Sequence, residues 1–352
     1  MLLLAGLLGM MAVGATAFYG FDISTDDAED DVLNMPLPDS SGTDDLLTDT
    51  QESGQRDEPD QSDLPQESPN PQKYDAEPEW QITEGQPGAD TINGSDANDQ
   101  INGDSGDDLI LGGLGGDQLF GAAGADTIDG QSGDDTVHGG DDADHLVGGS
   151  GHDQMFGHNG ADTVIGGDGD DSLVGSAGND LLLGQAGADA LHGDLGDDVL
   201  QGGRGADTLF GGWGHDTISG IVDDPDMPGL QDLDEGDYLN GGAGDDLILA
   251  GRDDIISTGD GADTVALGDW LSQDHQAQVT DFSTAEDSLM VIYDDLVDPD
   301  PEVTITQDED DQSRQHVALN GVRIAVVDGA DDLTLDHVTL IAESTLASDW
   351  PV

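Results

Sequence analysis

The chain contains no cysteine and few aromatic residues. Because cysteine is absent, neither disulfide bonds nor thiolate metal sites can stabilise it. Only 4 Trp, 4 Tyr and 6 Phe occur among 352 residues, and apolar residues make up 35% of the chain. A broad hydrophobic core is therefore not expected, and another interaction must hold the folded state together.

Basic residues are equally scarce. There are 6 Lys and Arg against 79 Asp and Glu, which gives a net charge of −73. Phosphate groups are bound by clustered Lys and Arg, so this balance excludes nucleic acid as a partner and argues against anionic membrane surfaces. A compact state of such charge repels itself unless cations bind. Divalent metal ions are the expected counter-charge.

The N-terminal part falls into two segments of different composition. Residues 1–18, MLLLAGLLGMMAVGATAF, are apolar and have no preceding Lys or Arg. Ala15-Thr16-Ala17 fits a small-residue cleavage site, so the segment is predicted to be a signal peptide or an N-terminal membrane anchor. Residues 19–84 hold 7 of the 13 prolines and mix Asp with Glu, which predicts a disordered acidic linker.

From Gly85 to Ser219 the sequence repeats every nine residues without a gap, giving 15 units in 135 residues. The pattern is G-G-x-G-x-D-x-U-x, where U is apolar. The first position is always Gly and the eighth always apolar, whereas the second is Gly in only 6 units. Such a period predicts an all-β solenoid, in which two units form one 18-residue coil. The x-U-x strand would point one apolar side chain inward.

The sixth position of the repeat is always Asp. The segment 85–219 contains 26 Asp and no Glu, whereas the linker before it contains 7 Glu. Only a site with a fixed, short reach from backbone to ion should exclude the longer acid. We therefore predict these metal ligands: Asp90, Asp99, Asp108, Asp117, Asp126, Asp135, Asp144, Asp153, Asp162, Asp171, Asp180, Asp189, Asp198, Asp207 and Asp216, with Asp246, Asp254 and Asp263 from later units.

The coil geometry favours calcium as the cofactor. Aspartates on one edge recur every 18 residues, and successive coils lie about 4.8 Å apart. Glycines at the first and fourth positions are expected to permit positive φ angles and to let backbone carbonyls approach an ion. Carboxylate and carbonyl oxygens at flexible geometry are the ligands of several Ca²⁺ ions, whereas Mg²⁺ keeps more of its own water.

After Ser219 the pattern weakens. Residues 220–236 are predicted to be a surface loop, and residues 237–266 to be degenerate repeats. Residues 267–352 read as a small C-terminal β cap that ends in a candidate secretion signal at 348–352. Its predicted strands are Gln278–Phe282, Ser288–Tyr293, Val303–Thr306, His316–Val327 with a type I′ turn at Asn320-Gly321, and Leu333–Ile341.

The nonapeptides resemble the repeat-in-toxin (RTX) family of hemolysin-type calcium-binding repeats. The resemblance covers residues 85–266 and implies a parallel β-roll with calcium between coils. It also implies an exported bacterial protein that is disordered at low intracellular calcium and folds outside the cell, with the export machinery as a partner. The expected location is extracellular or the cell surface.

Signatures of catalysis are missing. The chain has no H-E-x-x-H, no G-x-S-x-G and no strict EF-hand loop. His138, His145, His152 and His158 occupy four different repeat positions and are expected not to share a face. We predict a non-enzymatic surface or matrix protein with a cell-surface or polysaccharide partner. The alternative is a secreted polysaccharide-modifying enzyme with a site in the C-terminal segment, whose candidate residues are Asp281, His316, Arg323 and His337.

Overall fold

The computed structural model describes residues 81–222, 232 and 236–346. The predicted signal or anchor, residues 19–80 of the linker, most of the insertion and the tail at 348–352 lie outside the described residues. The chain divides into two units, Met1–Asn70 and Pro71–Val352, and the described residues belong to the second.

Each nonapeptide forms one short strand and one turn. The strands of the uninterrupted array are β1 (Gln81–Glu84), β2 (Thr91–Asn93), β3 (Asp99–Asn102), β4 (Leu109–Leu114), β5 (Gln118–Ala123), β6 (Thr127–Ser132), β7 (Thr136–Asp141), β8 (His145–Ser150), β9 (Gln154–Asn159), β10 (Thr163–Asp168), β11 (Ser172–Ala177), β12 (Leu181–Ala186), β13 (Ala190–Leu195), β14 (Val199–Arg204), β15 (Thr208–Trp213) and β16 (Thr217–Ser219). Residues 81–84, which composition assigned to the disordered linker, instead form β1.

The strands continue beyond the insertion. They are β17 (Tyr238–Ala243), β18 (Leu247–Leu249), β19 (Ile255–Asp260), β20 (Thr264–Gly268), β21 (Ala277–Val279), β22 (Ser288–Tyr293), β23 (Val303–Gln307), β24 (Arg314–Leu319), β25 (Val322–Asp328) and β26 (Val338–Ala342), with 3-10 turns at Leu335–His337 and Glu343–Thr345. Within the described part of the chain, no helix is long and apolar enough to span a membrane.

Alternate strands build two parallel sheets, which confirms the predicted all-β solenoid. Among the described residues one sheet has 14 strands and begins β1-β3-β5, and the other has 12 strands and begins β2-β4-β6. Partners are 18 residues apart, as in Leu119 with Val137. The insertion widens this step to 30 residues, pairing Thr208 with Tyr238, and the short unit after it narrows the step to 17, pairing Tyr238 with Ile255.

The core of the roll is one residue wide. The eighth-position side chains from Ile101 to Ile218 are all 0% exposed and stack between the two sheets. A buried Leu, Ile or Val stabilises the fold by roughly 1.5–3 kcal/mol relative to leaving it exposed. This thin column carries little apolar area per residue compared with a globular core, so the carboxylates on either side matter more to stability.

The coil does not stop where the glycine period stops. Strands β21 and β25 extend the 14-stranded sheet in parallel, and β22 and β26 extend the 12-stranded sheet. The buried indole of Trp270 packs over Gly268 at the turn after β20, and its Nε1 donates to the carbonyl of Ala250 at 2.9 Å. Antiparallel β23 and β24 complete the cap, and positive φ angles of 53° at Asn320 and 79° at Gly321 fit the type I′ turn.

Candidate metal centre

One oxygen of each sixth-position carboxylate is used to join neighbouring coils. The backbone N–H of Asp108 donates to Oδ1 of Asp126 at 2.8 Å, and that of Asp126 donates to Oδ1 of Asp144 at 2.8 Å. The same bond recurs along both edges of the roll, as where Asp263 accepts from Asp246 at 2.8 Å, and it continues to Asp287 in the cap. These side chains are therefore fixed by the coils that they bridge.

The second oxygen, Oδ2, is buried and in most units has no hydrogen-bond donor within the described residues. Burial of an unpartnered polar atom costs about 1–3 kcal/mol, and more when the group is charged. A series of such atoms in one structure indicates a missing partner of positive charge. The aspartates with this orphaned oxygen are Asp108, Asp117, Asp126, Asp135, Asp144, Asp153, Asp162, Asp171, Asp180, Asp189, Asp198, Asp216, Asp246 and Asp263.

The first-position glycines provide the space beside this oxygen. A Cβ atom added to Gly112 would lie 2.6 Å from Oδ2 of Asp117 and 2.7 Å from the carbonyl oxygen of Gly130 in the next coil. The expectation that these glycines adopt positive φ is wrong, because only the second and fourth positions do so. The first position must be Gly because a carboxylate oxygen and a carbonyl oxygen converge on its Cα.

The backbone conformation at the second repeat position determines whether Oδ2 of the sixth-position aspartate has a protein donor. All second-position residues from Asp104 to Gly212 have positive φ, including Ala122 at 85° and Gln185 at 81°. Gln86 and Ser95, in the first two units, do not. Their N–H groups donate to Oδ2 of the aspartate four residues on, at 2.7 and 2.5 Å. When the second-position residue is left-handed, its N–H therefore does not donate to the carboxylate, and Oδ2 is left without this donor.

Carboxylates at both ends of the array are satisfied by the protein itself. At the N-terminal end, Asp90 and Asp99 accept from the amides of Gln86 and Ser95. In the cap, Oδ2 of Asp287 accepts from the N–H of Ser283 at 2.8 Å and the hydroxyl of Thr258 at 3.1 Å. Asp287 occupies the rung after Asp263, whose N–H donates to its Oδ1 at 3.1 Å.

The predicted ligands thus fall into three groups. Asp90, Asp99 and Asp254 have protein donors on Oδ2, the last from the N–H of Gly251 at 2.5 Å. The carboxylates that join neighbouring coils form a ladder along each edge of the roll. Asp207 belongs to this ladder and accepts from the N–H of Asp189 at 2.7 Å. The remaining predicted ligands carry the orphaned oxygen described above.

Three buried aspartates outside the predicted set also belong to this array. Asp237 accepts from the N–H of Asp207 at 2.8 Å, and Asp287 forms the last rung. Asp232, from the insertion, accepts from the N–H groups of Val222 and Arg252. Asp237 precedes an x-Leu-x strand, which is the signal that could have identified it.

Side chains alone do not assemble a metal site. No group of three or more His, Asp or Glu side chains in the described residues lies close enough together to hold a metal ion. Most orphaned carboxylates instead lie beside a main-chain carbonyl, as Asp117 does beside Gly130. Oxygens of this mixed kind suit Ca²⁺, which accepts backbone carbonyls and water as readily as carboxylates.

Burial shifts the protonation of these carboxylates. Desolvation raises the pKa of Asp135 and Asp189 to about 7 and that of Asp171 to about 6, from an ordinary value of 3.8. Neighbouring aspartates in the ladder raise it further, and the backbone hydrogen bonds to Oδ1 only partly oppose this. Without a cation, Asp135 and Asp189 therefore hold protons near neutral pH, and Asp171 does so at slightly lower pH.

Two of the histidines contradict the expectation that none share a face. His138 on β7 and His158 on β9 lie on the same sheet, with Nδ1 of the former 2.9 Å from Nε2 of the latter. The ring of His138 also stacks between Phe120 and Phe156, at centroid distances of 4.9 and 4.8 Å. The ninth position of one coil thus reaches the second position of the next, a contact that repeat position alone does not reveal.

Comparison with known families decides the identity of the array. The sequence profile of the RTX calcium-binding nonapeptide repeat matches seven segments, which together cover residues 84–220 and 231–269, half of the chain. The chain belongs to this RTX family. Repeats of the family bind calcium in a β-roll, so the predicted cofactor class is confirmed at that level.

Other comparisons add little to the RTX assignment. No curated protein matches the chain. Among solved structures it is similar to the extracellular lipase LipA from Serratia marcescens, with 16% identity and a TM-score of 0.23. The match covers 69% of this chain and 40% of the lipase, so it spans less than half of that protein's length.

Substitutions at the first and second repeat positions are expected to have opposite effects on stability. We expect Gly112→Ala to lower the free energy of unfolding in calcium by about 1–3 kcal/mol, because its Cβ would collide with oxygens of two coils. Ala122→Gly should instead raise it by about 0.5 kcal/mol, since relief of the left-handed strain exceeds the added chain entropy. Urea unfolding followed by circular dichroism measures both. Equal effects from the two substitutions would contradict these roles.

The raised pKa values predict how the metal-free roll responds to pH. Between the unfolded value of 3.8 and the folded values of about 6 to 7, the folded state binds more protons. Its stability is therefore fully present at low pH and is lost as pH rises through about 6 to 7. In chelator, the β signal in circular dichroism should increase on going from about pH 8 to about pH 5. A β signal that decreases over this range would show that the buried carboxylates are not protonated there.

Proposed function

We propose that this chain is an exported RTX protein whose β-roll folds when calcium is bound. The observation that carries the proposal is the series of buried Oδ2 atoms that have no donor among the described residues, found at fourteen of the predicted ligands between Asp108 and Asp263. A folded protein rarely leaves even one such group unsatisfied, and here they recur in almost every coil. Family membership supplies the identity of the ion.

The residues that would hold the ions are the orphaned carboxylates and the carbonyls beside them. Asp117 Oδ2 and Gly130 O, which converge on the Cα of Gly112, represent one such set. We propose about one ion for each aspartate described above as carrying an orphaned Oδ2. Bound calcium supplies positive charge and accepts variable oxygen coordination.

Folding and ion binding are coupled because the same carboxylates govern both. A net charge of −73 opposes collapse of the chain, and the thin apolar column offers limited compensation. An unfolded chain does not hold the carboxylates and carbonyls together, so ions that bind the roll stabilise it by mass action. At low intracellular calcium the array would stay unfolded, and outside the cell it would fold.

We further propose a non-enzymatic role at the cell surface or in an extracellular matrix. In the cap, Asp281 accepts from Ser257 and Thr258, and His316 pairs with Asp308 at 2.8 Å. His337 contacts Thr334 at the start of a 3-10 turn. Among the described residues, no hydrogen bond or ion pair joins any two of the candidate catalytic residues. Structural contacts of this kind support a cap rather than an enzyme.

Calcium titration of the purified protein tests the proposed mechanism. Circular dichroism should show little β structure in chelator and a cooperative gain in millimolar calcium, whereas the same concentration of magnesium should give much less. Asp171→Asn should shift the calcium midpoint upward by removing a charge from the ladder.

Asp168→Asn is the matched control for this titration, since it removes the same charge from an exposed side chain at the end of β10, and it should leave the midpoint nearly unchanged. A full β signal in chelator, or an equal response to magnesium, would overturn the mechanism.

A further inference from the structure

A cleft of about 440 Å³ lies along one edge of the 14-stranded sheet, and no sixth-position aspartate lines it. Its floor is formed by the half-buried Ser176 and Ala177 of β11. These small residues pair with His158 and Asn159 on one side and with Asp194 and Leu195 on the other. The cleft therefore arises because one coil carries short side chains between coils that carry longer ones.

Trp213 forms the far end of the cleft. Its side chain is 69% exposed, and the neighbouring Leu195 is 56% exposed. Along its column Trp213 pairs with Leu195 and Ala243, and no aromatic ring of the described residues stacks on the indole. In a chain with only 4 Trp, a large apolar ring left open beside a cleft indicates a binding surface.

The opposite end of the cleft is polar and held in place by its neighbours. The ring of His158 is fixed by the 2.9 Å hydrogen bond with His138. The amide of Asn159 donates to Oδ1 of Asp141 at 2.9 Å. Hydrogen-bonding groups that are oriented before a ligand arrives lose little freedom when it binds.

Asp194 and Ser176 provide further polar groups between the two ends. Both line the cleft, and within the described part of the chain neither side chain makes a hydrogen bond, so both are available to a ligand. From His158 to Trp213 the cleft crosses three strand steps, which amounts to about 14 Å. The result is one flat apolar surface followed by a short row of donors and acceptors.

This combination fits a sugar chain. A pyranose ring has an apolar C–H face that can lie on an indole and hydroxyl groups at its edge that pair with carboxylate, amide and imidazole groups. An apolar peptide would need a longer apolar groove than Leu195 and Trp213 provide. An anionic glycan would be repelled by a chain of net charge −73. We propose that this cleft binds a short stretch of a neutral polysaccharide, with Trp213 as the stacking platform.

The proposal rests on the calcium-folded roll, so folding is measured separately from binding. Each variant is first examined by circular dichroism in millimolar calcium. Tryptophan fluorescence is then followed during titration with cellohexaose, xylohexaose, mannohexaose, maltohexaose and chitohexaose. At least one neutral hexasaccharide should change the emission saturably, and an oligomer of an anionic uronic acid should not.

Variants identify the site. Trp213→Ala should weaken binding by at least about tenfold, measured by calorimetry since the reporter is lost. Trp213→Phe should restore part of the affinity, and Asp194→Ala should weaken binding while it leaves Trp213 in place. The matched control is Leu114→Ala, which removes an exposed side chain, 52% accessible, from the same repeat position on the other sheet. It should bind like the wild type.

Several results would overturn the proposal. Folded wild-type protein that binds none of the five sugars would do so, as would a folded Trp213→Ala or Asp194→Ala variant that binds as tightly as the wild type. A fluorescence change that depends on protein concentration without sugar, and that coincides with dimers in light scattering, would instead assign the cleft to a second copy. Failure of the β-roll to form in calcium would be seen first by circular dichroism and would refute the proposed function itself.

Discussion

The structure depends on how each sixth-position carboxylate divides its two oxygens. One oxygen accepts a backbone N–H from the preceding coil on the same edge, as Asp126 does from Asp108 at 2.8 Å, and this fixes the side chain. The other is held in a buried position beside a carbonyl of the following coil, without a protein donor. The first bond builds the roll, and the second oxygen makes it dependent on a cation. Fold and ion requirement are therefore consequences of the same side chain.

The backbone conformation at the second repeat position decides which of these carboxylates depend on a cation. Where the second position is left-handed, as at Gln185, the carboxylate keeps an open oxygen. Where it is not, as at Ser95, the amide closes the site from within the protein. At the other end Thr258 and Ser283 close it around Asp287. The ladder thus ends at both sides in rungs that need no ion, which suits a solenoid whose last coils must be stable on their own.

The nine-residue period was enough to predict the solenoid, the inward eighth position and the aspartate edges, because each depends on contacts that repeat identically. The features that it missed depend on neighbouring coils. Gln86 and Gln185 occupy the same repeat position with different backbone conformations, which only stacking decides. Coils beyond residue 266 continue without the glycine period, and there the buried Trp270 packs over Gly268 at the turn after β20. His138 meets His158 on neighbouring coils of the same sheet.

An anomalous diffraction experiment on crystals grown in calcium tests the central claim most directly. The account predicts density peaks beside the orphaned oxygens from Asp108 to Asp263, within about 2.3–2.6 Å of carboxylate and carbonyl oxygens. It predicts no peak at Asp90, Asp99 or Asp287, where protein donors fill the sites. A folded roll without ions at the ladder, or with ions only on surface carboxylates, would contradict it.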